Sequence, residues 1–406
     1  MSKIARLFVI DPLPLGDAGH HQHFIAGTVN DAGRLGFDPI FLVGRSRNGI
    51  ASPDRRFHEI FRHYLYKPLS NDPENGPLID LSQGSDAFCQ DLAILRTMSP
   101  RQDDLIFLPS ASARTLAGLA KWRIATNFPS PLAALFHHVV PPSLDLTPNS
   151  LGHRIFRIAG ELLQETKSIG PYFIAATNSQ LAKNLTAALE IATNVVPQPH
   201  WYDLVSPSAE AVYQPRNSNF VPVASVGVLR RAKGGHLLPE VAKLLRQSGC
   251  PARLVVQASA GERQLIEQLS EMEIRGELDL VRNELPESQF IRLIRDAALI
   301  LLPYDPIRYR TRISGPFSFA VAWQRPCVVP ARTWMAEQIE TARAAGLMYA
   351  GYDAQVIADA VNTAISDLPN LKQTATKYAA AWRADNGTAL LKRLTDWAAE
   401  ARSVTR

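Results

Sequence analysis

The sequence predicts an α/β chain of two nucleotide-binding-type domains, each a parallel sheet covered by helices on both faces. Three observations predict it. Short apolar runs recur without polar–apolar alternation, as at 132–136 and 298–302. Stretches with apolar residues at helical spacing lie between them, and such strands alternating with helices belong to parallel sheets buried on both faces. The rhythm stops at 197–222, where Pro197, Pro199, Pro207, Pro215 and Pro222 fall among Ser, Asn and Tyr without a period. That composition over that length marks an interdomain connection, the alternative being a long surface loop within one domain.

Taken in order, a strand at 7–10 precedes a helix over 22–35, spaced by Phe24, Ile25, Val29 and Leu35. Strands follow at 39–43, 104–108 and 132–136, with a helix at 113–122 between the last two. A strand at 172–176 leads into a helix through Leu181, Leu185 and Leu189. After the break, strands are expected at 223–228, 253–257, 278–281, 298–302 and 327–329. Helices alternate with them at 237–246, 262–269, 287–297 and 316–323, and further helices run from Ala354 with Trp382 and Trp397 as anchors. The expected domains are therefore 1–200 and 223–385, with a linker at 201–222 and a C-terminal helix at 386–406 able to pack back toward the first domain. Ligands of such sheets bind beyond the carboxyl ends of the strands, so the cleft between the domains is the expected site. The segment 152–159 mixes Arg154 and Arg157 with Ile155, Phe156 and Ile158. It reads as a core-facing helix with snorkelling arginines, the alternative being a membrane-surface helix.

Of the 406 residues, 46% are hydrophobic and 20% charged, enough apolar surface to exclude a disordered chain. The three cysteines, Cys89, Cys250 and Cys327, are too few and too scattered for a disulfide framework, and they read as small buried residues of a reduced intracellular protein. No apolar run reaches the ~18 residues of a membrane span, and the start is too soon interrupted by Asp11 and Pro12 for a signal peptide. A cytoplasmic location is expected, with peripheral contact at the inner face of the membrane allowed. Forty-three Lys and Arg against 38 Asp and Glu give a net charge of +5, but no run of the kind that marks a nucleic-acid arm.

Two segments carry anion chemistry. Gly227-Val-Leu-Arg-Arg-Ala-Lys-Gly-Gly235 joins a strand to a helix and brings Arg230, Arg231 and Lys233 to a strand's carboxyl end. Guanidinium forks and an ammonium point charge suit a diphosphate. The spacing matches neither the P-loop nor the dinucleotide fingerprint. Further on, a strand ends at Pro303, a loop carries Arg308, Arg310 and Arg312, and Ser314-Gly315-Pro316 opens a helix. Ser is a good N-cap and Pro a good first helical residue, and Gly315 leaves the N–H groups of the helix start accessible to phosphate. The bland readings are a solvated basic turn and a capped helix beside a charged loop.

The turn at 227–235 resembles the G-x-x-(R)-x-x-K-G phosphate loop of GT-B glycosyltransferases. The stretch Leu-Leu-Pro-Tyr, Ser-Gly, Ala-x-Ala and Pro-x-Val-Val within 301–329 is similar to the same proteins. The match is to the large retaining family that includes sucrose-phosphate synthases, close over 223–329 and looser in the first half. The resemblance implies two Rossmann-like domains facing across a cleft. It implies a nucleotide-diphosphate sugar as donor substrate on the second domain, a glycan or lipid-linked acceptor on the first, and no further cofactor. Gly227, Arg230, Arg231, Lys233, Tyr309, Arg312, Ser314 and Gly315 would hold the donor, with Glu284 and Leu285 along the base. The family carries two Glu eight positions apart, the second contacting the ribose. Here those positions are Thr311 and Phe319, and Asp305 is the nearest substitute.

In the first half, Asp17, Gly19, His20 and His21 lie in a small-residue turn before a helix, and His137 and His138 close the strand at 132–136. The resemblance sets His20, His137 and His138 toward the reacting sugar, with Asp17, Gly19 and His21 lining the acceptor side. No Cys pair or His-x3–5-His spacing supports a metal site, and Arg and Lys neutralising the phosphates make a divalent ion unnecessary. Two other functions stay open: a nucleotide-sugar epimerase, which needs paired carboxylates, and a non-catalytic nucleotide-sugar binder, which the missing Glu pair favours. Nucleic acid is not an expected partner.

Overall fold

The computed structural model describes residues 5–14, 20–45, 54–65, 67–70, 72, 75–141, 144–198, 200–213, 220–387 and 389–404. The chain divides into two compact units, one made of Met1–Trp201 with Asn386–Arg406, the other of Tyr202–Asp385.

The first unit holds seven parallel strands, β1 (Ala5–Pro14), β2 (Phe37–Gly44), β3 (Phe57–Phe61), β4 (Leu105–Leu108), β5 (Leu132–Phe136), β6 (Tyr172–Ala176) and β7 (Thr193–Val195), in the order 3-2-1-4-5-6-7. Successive side chains of β1 enter opposite cores. Phe8 and Ile10 pack with Leu116, Phe156 and Leu181 of three helices, whereas Leu7 and Val9 pack with Leu390, Leu391 and Leu394 from the end of the chain. Burial on both faces is why these strands read as unbroken apolar runs. The helix His20–Arg34 is pinned by Trp201, whose indole N–H donates to the Asp31 carboxylate and whose ring lies edge-on to Phe24 at 5.7 Å. A Cβ on Gly27 would come within 1.9 Å of that indole, so only glycine lets helix and ring approach this closely. In the helix Leu151–Glu165, Ile155 and Phe156 are buried and Arg154 and Arg157 exposed, with Ile158 also on the outer face.

The second unit has six parallel strands, β8 (Val221–Ser225), β9 (Ala252–Gln257), β10 (Asp279–Val281), β11 (Leu299–Leu301), β12 (Cys327–Pro330) and β13 (Gly346–Tyr349), in the order 10-9-8-11-12-13. Val223, Leu254, Leu299 and Val328 face one core with Leu238 and Ile357. Ala224, Val255, Ile300 and Cys327 face the other with Ile291, Phe317 and Trp382. The sheet winds outward in both directions from β8, so the strand order reverses between β8 and β11. Open α/β sheets bind ligands above that point.

Several boundaries differ from the sequence reading. The strand expected at 223–228 ends at Ser225, because Gly227, at φ +100°, turns the chain away. Residues 202–213, expected as linker, belong to the second unit. Tyr202 is buried there, and its hydroxyl accepts the Trp382 indole N–H at 2.9 Å. Val205, Val212 and Tyr213 pack on the same core, and Tyr213 donates to Asp279 at 2.6 Å. The edge strands β3, β7 and β13 and the helix Trp334–Glu340 add elements the apolar pattern did not disclose. All three cysteines are free thiols, Cys327 buried and the other two half-buried. Among the described residues, no helix is long and apolar enough to cross a membrane.

Candidate anion site at the carboxyl end of the second sheet

The turn after β8 folds back over a lysine. The N–H of Gly227 donates to Gln257 Oε1 at 2.7 Å, and a Cβ on Gly227 would stand 2.8 Å from Lys233 Nζ. Glycine there makes room for the ammonium beneath the turn. Arg231–Lys233 is a single 3-10 turn, closed by Lys233 N–H donating to Arg230 O at 2.8 Å. It ends on Gly234, at φ +69°, where a Cβ would stand 1.8 Å from Pro303 O. The turn is thus pressed against the segment leaving β11, and Asp305 N–H donates to Ala232 O at 3.0 Å.

That second segment is held from inside. Asp305 Oδ1 accepts from the N–H of Ile307 at 2.9 Å and of Arg308 at 3.3 Å. Tyr309 is buried, its ring 4.3 Å from that of Tyr304, and its carbonyl accepts Trp334 N–H at 3.2 Å. Ser314 then caps the helix Gly315–Ala322, its hydroxyl accepting Phe317 N–H at 3.3 Å, so Pro316 is the second helical residue rather than the first. Pro316 Cγ is 3.9 Å from where a Gly227 Cβ would be, which sets the helix start beside the basic turn.

The electrostatics are one-sided. Lys233 is half-buried, and among the described residues neither it nor Arg230, Arg231 or Arg312 forms an ion pair with a carboxylate. Burial pushes the Lys233 ammonium below the usual lysine range and the nearby Arg230 adds to this, while Tyr309 opposes it. Arg230, Arg231, Arg308 and Arg310 are exposed, and Arg308 faces Asp305, at 3.7 Å. A half-buried cation without a counter-charge, with a second cation beside it at a sheet's switch point, can accept an anion.

No family model matches the chain, and no curated protein matches it significantly in sequence. Solved structures do match in shape. A UDP-forming α,α-trehalose-phosphate synthase from Burkholderia xenovorans aligns with TM-score 0.67 at 15% identity, over 99% of this chain and all of the other. Sucrose-phosphate synthase from Thermosynechococcus elongatus aligns with TM-score 0.64 at 13% identity, over 98% and 99% of the two chains. HepE of Anabaena, solved in complex with UDP, aligns with TM-score 0.64 at 14% identity, over 98% and 100%. The chain has the GT-B fold. At these identities the likeness is one of fold.

Within this GT-B chain the donor candidates Gly227, Lys233, Ser314 and Gly315 converge in one place. Arg230 acts on the charge of Lys233, Arg230 and Arg312 act on Tyr309, and Arg231 opens the 3-10 turn that includes Lys233. Tyr309 does not present its ring to a ligand; packed on Tyr304, it supports the loop from within. Glu284 is exposed and Leu285 packs partly on the core, both following β10 at the sheet edge, about 10 Å from β8 at two strand spacings. Phe319 is buried, edge-on to Tyr202 at 5.5 Å and to Phe290 at 5.8 Å, so its side chain offers no acceptor for a ribose hydroxyl. Asp305 uses its Oδ1 to organise its own turn.

In the first unit, His137 and His138 are half-buried in a bend after β5. The strand ends at Phe136, so strand alternation does not set the directions of these two side chains. The helix begins at His20 and includes His21, whereas Asp17 and Gly19 lie outside the described residues. Gln257 was invisible in the sequence; its position at the end of β9 becomes meaningful only once β9 is paired with β8.

Proposed function

We propose that the chain is a glycosyltransferase that moves a sugar from a nucleoside-diphosphate sugar to a carbohydrate or lipid-linked glycan. The observation that carries the reading is the half-buried Lys233, close enough to Arg230 to feel its charge and lacking a carboxylate partner among the described residues. A diphosphate supplies the missing charge. In the transfer the bond from the anomeric carbon to the donor phosphate oxygen breaks and its electron pair stays on that oxygen. The acceptor hydroxyl forms the new bond and its proton passes to the departing phosphate. Lys233, the arginines and the N–H of Gly315 stabilise the charge that develops there, so no protein nucleophile is required. The reading includes retention of configuration and independence of divalent metal. UDP is the first nucleotide to try, since HepE, similar in fold, is solved with UDP and glucose.

Calorimetry with UDP, GDP, TDP and ADP, followed by assays of donor hydrolysis and transfer with and without a chelator, tests this. Failure to bind any of the four removes the transferase reading. One observation favours a second reading, a binder without turnover. Phe319, buried between Tyr202 and Phe290, stands where the resemblance has a carboxylate. Tight nucleotide binding with no turnover on any acceptor pool selects it.

A further inference from the structure

An anion-binding turn must keep its own carbonyl oxygens away from the ligand. Three successive carbonyls of this turn are engaged by protein donors. Arg230 O accepts from Lys233 N–H at 2.8 Å and Gly235 N–H at 3.2 Å. Arg231 O accepts from Gly234 N–H at 2.8 Å and from the Tyr352 hydroxyl at 3.1 Å. Ala232 O accepts from Asp305 N–H at 3.0 Å. All but one of these donors are backbone groups, and the exception, Tyr352, lies 121 residues away in the segment after β13. The opposite end of the turn is held in the same manner, since the buried Gln257 fixes the N–H of Gly227 at 2.7 Å. Gly227 is the residue freest to rotate its peptides, and it roofs Lys233.

We propose that Gln257 and Tyr352 are positioning residues for the donor diphosphate, acting through the backbone of the turn at its two ends. The inference rests on the functional reading above. Gln257 keeps the roof over Lys233 in place, and Tyr352 draws the Arg231 carbonyl out of the anion's reach. Tyr352 is suited to this role. Gly351, at φ +115°, supplies the bend before it, and Asp353 caps the following helix by accepting Val356 N–H at 3.0 Å, which anchors the segment. Its ring stands edge-on to His236 at 6.0 Å. Burial, then the charge of Asp305, pushes its phenol up to about 12, so the hydroxyl stays a donor through the neutral range.

The test is calorimetry of UDP and UMP on the full chain, wild type beside Gln257→Leu and Tyr352→Phe, with melting temperatures recorded for each. Both variants are expected to lose about three- to tenfold in UDP affinity, the size of one lost hydrogen bond, with UMP affinity changed by less than half as much on a logarithmic scale. Equal losses for UDP and UMP, or none, overturn the inference. If Gln257→Leu does not fold, Tyr352→Phe, which removes only the hydroxyl of a half-buried side chain, decides alone. A wild-type chain that binds none of UDP, GDP, TDP and ADP overturns the functional reading itself, and the inference with it. Wild-type binding with unchanged variants overturns the inference only.

Discussion

Lys233 sets the behaviour of the second unit at the scale of a single side chain. Burial and Arg230 hold its folded-state pKa below the usual 10.5. For a base this means that the protonated form is the one folding disfavours. The cost is fully present below the lowered folded value, begins to fade there, and is gone above the usual 10.5. A bound diphosphate inverts the balance by favouring the ammonium. UDP affinity should therefore fall with rising pH before the ordinary lysine range is reached, and binding in that window should take up protons. Calorimetry in two buffers of different ionisation heat measures both, and an affinity flat up to pH 10.5 would refute the assignment. Lys233→Met should weaken UDP about ten- to a hundredfold, as expected for a charge-assisted contact. Its melting temperature should hold or rise, since the substitution removes an uncompensated charge.

Between residues and the molecule stand the two loops that meet at the switch point. Gly234 is where they touch. Gly234→Ala would combine a left-handed backbone with a Cβ 1.8 Å from Pro303 O, at a cost of about 1–3 kcal/mol. The expected result is a lower melting temperature together with loss of UDP binding, read by scanning fluorimetry and calorimetry. These loops were legible in the sequence because Gly, Ser and Pro announce their conformations locally. Their braces were not. Gln257 and Tyr352 reach the turn across 30 and 121 residues, through strand pairing that no local pattern encodes. The edge strands escaped for a related reason. The residues of β3 are mostly half-buried, and β7 has three residues, two of them polar. Neither presents the continuous apolar run that burial on both faces produced in β4 and β5.

At the scale of the whole molecule, the fold class was readable because two sheets buried on both faces leave a repeated signature, and the break in that signature is real in composition. Its meaning was only partly readable. Tyr202 sits inside the break and looks like a linker residue, yet its ring and hydroxyl complete a core by meeting Phe319 and Trp382, both more than a hundred residues away. The end of the chain matters equally to the first unit. Ending it at residue 385 would strip Leu390, Leu391, Leu394 and Ala398 from that core, with Arg393 and Arg402, which donate to Val195 O and Asp103 O. Each leucine contributes about 1.5–3 kcal/mol, so the sum rivals the stability of a whole domain. The truncated chain should show a first unit cut rapidly by protease, while residues 202–385 resist cleavage and still bind UDP. Equal resistance of both units would refute this.

The discontinuity of the first unit has a temporal side. A nascent chain leaves the ribosome in sequence order, and domains tend to fold as their residues emerge. The second unit is one unbroken segment, complete once Asp385 is out. The first has all seven of its described strands by Val195 but must wait for Leu390, Leu391 and Leu394 to close the face of its sheet that bears Leu7 and Val9. The half of the protein synthesised first is thus the half that finishes last, and throughout that interval it exposes an apolar sheet face for chaperones to guard.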